Sequence, residues 1–106
     1  MTIKNAPPER PDIVAATRGG DNTLGMDDEA DPRTASLEEC LFWLKIYTEI
    51  SVMEEGVLVR IHQLMETQSP QARREVSLTN LPVVEAQLAR FRSRRDLWQE
   101  RALRAA

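Results

Sequence analysis

Residues 36–67 read SLEECLFWLKIYTEISVMEEGVLVRIHQLMET, and the fold turns on how this stretch is read. Ser36 followed by Glu39 is the sequence mark of a capping box in front of an apolar run. From there one helix is expected to run to about Thr67. On a helical wheel Trp43, Ile46, Ile50, Met53, Val57, Ile61 and Leu64 share one stripe, spaced by threes and fours as an amphipathic helix requires. Tyr47, Leu58 and Met65 widen it, and Leu44 lies further round. The arc is broader than one partner helix covers.

Downstream, TQSPQARREVSLTNLP (residues 67–82) reads as the connection. Ser69 before Pro70 suits an N-cap followed by the first helical position. A short helix is expected over 70–78, then a break at Thr79, Asn80 and Pro82. A last helix is expected from about Pro82 to Leu103. Its stripe of Leu81, Val84, Leu88, Phe91, Arg95, Trp98 and Ala102 follows heptad a and d positions, with Arg95 the one charged member. No strand pattern and no internal repeat is present.

The predicted fold is therefore all-α: an antiparallel helical hairpin of long helix, short connecting helix and long helix over residues 36–106. About 70 ordered residues make a marginal core alone. The surplus apolar arc of the first helix calls for a second surface, and a homodimer forming a four-helix bundle is the economical answer. A hairpin docked on a different protein is the rival. The packing interface is expected at Trp43, Ile50, Met53, Val57, Ile61, Leu88, Phe91 and Trp98.

Residues 1–35 carry four of the six prolines and three of the four glycines, with few large apolar residues. Such a segment buries too little to offset its ordering entropy. A flexible, disordered acidic tail is expected there, with DIVAA (residues 12–16) and TLGM (residues 23–26) as the short pieces able to dock. Its acidic part, MDDEAD (residues 26–31), has three readings: a solvated linker, a strip for a basic partner, or a segment folded back on the arginines of the last helix.

Those arginines are concentrated in RFRSRRDLWQERALR (residues 90–104), six in fifteen. The chain as a whole has a net charge of -3, which argues against a nucleic-acid or membrane polycation. At ~100° per residue, Arg90, Arg94, Arg101 and Arg104 fall on one flank of the apolar stripe, facing a partner or an anion. Glu100 can pair with Arg104 at i+4. If the hairpin turns near residue 72, Phe91 faces Glu54 and Arg95 faces Ile50. Glu54 lies inside the apolar arc, so a buried Glu54–Arg95 ion pair is expected. If the last helix instead runs straight on from Pro70, the register slides by about eight residues and this pair fails. The flank is read as meeting acids of the first helix, in the hairpin or across a dimer, ahead of nucleic acid. The aromatics that a nucleic-acid groove needs, Phe91 and Trp98, belong to the core stripe.

Catalytic chemistry finds little footing. Glu54 and Glu55 are neighbours on a helix and point about 100° apart. Cys40 is the only cysteine and has no histidine close in sequence, so an inert packed thiol is expected. His62 is the only histidine, without the Glu-x-x-His pairs of di-metal bundles. Neither metal nor cofactor is expected. Gly56, in mid-helix, is either a tolerated glycine or a point of close helix approach at a dimer axis. The lone cysteine and the lack of a signal peptide or a long apolar run point to the cytoplasm, and the bias to Arg over Lys to a GC-rich bacterial genome. The functional expectation is a non-enzymatic regulatory or adaptor protein that binds protein, itself or another, through helix packing. The alternative is a binder of nucleic acid or a small anionic ligand through the arginine flank.

Overall fold

Ser36 Oγ accepts a hydrogen bond from the Glu39 N–H at 3.1 Å, and Glu39 Oε1 accepts one from the Ser36 N–H at 2.9 Å. This capping box starts the helix where the sequence places it. In the computed structural model, which describes residues 25–106, α1 runs Leu37–Met65, α2 Pro70–Leu78 and α3 Asn80–Ala105. The architecture is all-α. α1 packs antiparallel against α3 as a hairpin, and α2 with α3 form one bent rod. No strand is present among the described residues.

Local chemistry sets the connection. Ser69 caps α2 by accepting from the Ala72 N–H at 3.2 Å, and Pro70 follows at the first position, where its missing N–H costs nothing. Thr79 leaves helical geometry at φ -121°, ψ -78°. Pro82 explains the bend: in a straight helix its ring would collide with the Leu78 carbonyl and leave it unbonded. α3 starts at Asn80, two residues before the expected Pro82, because a proline is tolerated in the first turn.

The core cluster holds Cys40, Tyr47, Phe91, Trp98 and Ala102, with Trp43, Leu44 and Ile50 packed against it. Trp43 and Trp98 stack at 6.5 Å between ring centroids, and Tyr47 meets Phe91 at 6.4 Å. The register therefore departs from that of a turn near residue 72. The chain reverses at Ser69 and α2 runs into α3, so Phe91 meets Tyr47, about two turns before Glu54. This slide removes the expected Glu54–Arg95 pair. Arg95 bonds its neighbour Asp96 at 3.2 Å, and Glu54 Oε2 is enclosed without a hydrogen-bond partner.

The expected tail boundary at residue 35 also shifts. Residues 1–24, which include DIVAA and most of the expected tail, lie outside the described residues. Residues 25–35 form two turns laid against the hairpin. Glu29 N–H bonds Met26 O at 3.0 Å and Thr34 N–H bonds Asp31 O at 3.1 Å, while Ala30 and Ala35 pack on the core.

Candidate functional site

The folded-back segment ends in a buried acid. The Glu29 side chain is 3% exposed, and four donors converge on it. Oε1 accepts from the Tyr47 hydroxyl and, at 3.0 Å, from the Met26 N–H. Oε2 accepts from the Arg94 guanidinium and, at 2.6 Å, from the Trp98 indole N–H. Burial pushes the Glu29 carboxyl up, but the four hydrogen bonds outweigh it and hold it below its ordinary 4.5. Burial and the bond to Glu29 push the Tyr47 phenol up to about 12. Gly25 backs directly onto this cluster. A Cβ there would lie 2.7 Å from Glu29 Cδ and 2.9 Å from the Arg94 guanidinium.

The arginine flank is accordingly divided. Arg94, expected to face a partner or an anion, is buried and consumed by Glu29. Arg90 lies over the Phe91 ring at 5.1 Å. Arg104 takes the i+4 pair with Glu100 at 2.7 Å. Arg92, on the other side of the helix, pairs with Glu55 of α1. Arg101 and Arg104 line a shallow cleft of about 180 Å³ with Pro32, Arg33, Ala35 and Cys40. The four flank arginines thus do not form one free basic strip.

The apolar face of α1 is divided as well. The side turned to α3 and the folded-back segment is Cys40, Tyr47 and Ser51, all buried. Leu44, Glu54, Leu58, Ile61 and Met65 continue that side half-buried. Among the residues expected at the interface, Leu88, Phe91 and Trp98 are buried, and Trp43, Ile50 and Ile61 half-buried. Met53 and Val57 are exposed instead, Met53 at 68%. They belong to a stripe one residue out of phase with the hairpin seam: Ile46, Ile50, Met53, Val57 and Leu64, with Phe42 beside it at 55% exposed. Exposed apolar surface arranged this way is what a docking face looks like.

No protein family, curated protein or solved structure matches the chain. The face and the buried acid are thus read from their own chemistry. Cys40 is buried, and His62 lies 22 residues further along the same helix, roughly 33 Å away, so the two cannot meet within one chain. No cluster of three or more potential metal ligands and no helix long and apolar enough to cross a membrane occurs among the described residues.

Proposed function

We propose that this chain is a non-enzymatic protein-binding module, regulatory or adaptor in role, that acts through the exposed stripe of α1. The observation that carries the reading is that Met53, Val57, Leu64 and Phe42 stay exposed after the hairpin has closed. Burying such a side chain completely from water is worth roughly 1.5–3 kcal/mol, and about half of each remains exposed for a partner helix to cover. Helix-in-groove and four-helix packing both use anchors at this spacing. The partner is a second copy of the chain or another protein.

A second reading keeps the arginines. Arg33, Arg101 and Arg104 border one cleft, where a phosphate or carboxylate could sit. It is the weaker reading, because Arg94 is spent on Glu29 and both Arg33 and Arg104 already hold acids.

Photo-crosslinking in the cells that make the protein separates the two. With a benzophenone side chain in place of Val57, irradiation is expected to give a discrete protein adduct, and the same group in place of Arg104 is expected to give none. An adduct with nucleic acid at position 104, and nothing at position 57, overturns the first reading in favour of the second.

A further inference from the structure

The stripe of α1, half-buried at Ile46 and Ile50 and exposed from Met53 onward, contains one charge. Continued at its own spacing it runs Ile46, Ile50, Met53, Val57, Arg60 and Leu64, in steps of four, three, four, three and four. Arg60 is exposed, and so is Glu49 beside the stripe; neither belongs to any ion pair among the described residues. Eleven residues separate them, which is close to three whole turns. They therefore share one flank of α1, about 20° apart round the axis and roughly 16 Å apart along it, too far to reach each other.

Both features have the same centre. The stripe is symmetric about Glu55, and the midpoint of Glu49 and Arg60 falls half a residue from it. A two-fold axis at that point lays a second α1 antiparallel on the first. Ile46 then meets Leu64 of the copy, Met53 meets its Val57, and Ile50 lies under the aliphatic stem of its Arg60. On the flank the same operation puts Glu49 beside the guanidinium of the copy's Arg60, and does so twice. A parallel pair in register would set Arg60 against Arg60 inside the stripe, which is repulsive, and would put the two Glu49 side chains on opposite sides of the interface.

We propose that the partner of the α1 stripe is a second copy of this chain, packed antiparallel through α1 and held in register by two reciprocal Glu49–Arg60 bridges. The inference rests on the reading of that stripe as a docking face. It names the occupant and the orientation, and completes a four-helix bundle with the two α1 helices paired. Gly56 takes no part. It points about 80° away from the stripe, so its lack of a side chain is not a close-approach device.

The test is a charge swap on the full chain, read by sedimentation equilibrium over a concentration series. The unsubstituted protein is expected to dimerise. Glu49→Arg and Arg60→Glu, each placing like charges together twice, are expected to weaken the dimer about tenfold. The double variant Glu49→Arg/Arg60→Glu is expected to return to within about threefold of the starting affinity. Both positions are exposed, so helix content by circular dichroism should stay constant across the set. A monomer at every concentration overturns the proposal. So does a dimer indifferent to the single substitutions, or a double variant weaker than either single one. A monomer whose position 57 still crosslinks to a different protein defeats the second copy alone and leaves the docking face standing. A monomer with no adduct at position 57 defeats both.

Discussion

Glu29 is one of six acids between residues 27 and 39, and nothing in the local sequence singles it out from Asp27, Asp28 or Asp31 as the buried one. Helical periodicity is silent about a segment that is not helical. The signal lay on the other side of the contact. Tyr47 and Trp98 sit in the core with a hydroxyl and an indole N–H to satisfy, and buried groups of that kind require an acceptor. That need, next to a surplus of arginine, foretells a buried carboxylate without saying which one. Glu29→Gln keeps the shape and leaves Arg94 buried without its counter-charge. It should cost about 3 kcal/mol in urea unfolding. Tyr47 is the only tyrosine, so its ultraviolet titration reports on the same contact. The midpoint should lie near 12 in the unaltered protein and move toward 10 in the Gln variant. An unmoved midpoint would show that the phenol does not bond the acid. Gly25→Ala pushes a methyl group into the same carboxylate and should destabilise the protein by about 1–3 kcal/mol.

At the scale of elements the sequence was legible in outline and misleading in azimuth. The capping box, the Ser69–Pro70 start and the break near Thr79 all stand where local chemistry puts them. What the pattern could not decide was which side of α1 meets α3. Hydrophobicity favours the stripe through Met53 and Val57, yet the hairpin seam runs through Cys40, Tyr47 and Ser51. The seam uses smaller and more polar residues on α1, while α3 supplies the bulk of Phe91 and Trp98. A helix with two usable faces carries both in its sequence, and only the complete arrangement ranks them. Ser51 marks the compromise: its hydroxyl is buried without a partner. Ser51→Ala should therefore be neutral or stabilise by up to about 1 kcal/mol, and a clear loss of stability would mean the hydroxyl is bonded after all. Gly56→Ala adds a Cβ that meets nothing within 4 Å. It should raise stability by about 1 kcal/mol through helix propensity and leave the association constant of the proposed dimer unchanged.

For the whole molecule, the expected division into a tail and a hairpin at residue 35 misplaces a structural part. The segment from Gly25 to Ala35 contributes the acid to which residues from both long helices donate. A chain beginning at Ser36 should accordingly unfold at lower urea concentration than one beginning at Gly25, by about the same 3 kcal/mol as Glu29→Gln. Equal midpoints would return the segment to the status of a tail. The dependence on pH has a definite sign. The folded pKa of Glu29 lies below its unfolded value near 4.5, so its stabilisation is complete above that value. It is lost as the pH falls through the lowered folded value. Acid unfolding of the longer chain should be correspondingly steep, and in the chain from Ser36 this component should be missing.

The stacked pair of Trp43 and Trp98 has an optical consequence. They are the only two tryptophans, one from each long helix, with 25° between their ring planes. Their near-ultraviolet circular dichroism therefore registers contact between the helices, whereas the far-ultraviolet signal registers the helices themselves. A molecule that has sprung open with its helices intact would lose the first and keep the second. Two wavelengths on one unlabelled sample thus separate the closing of the hairpin from the coiling of its arms.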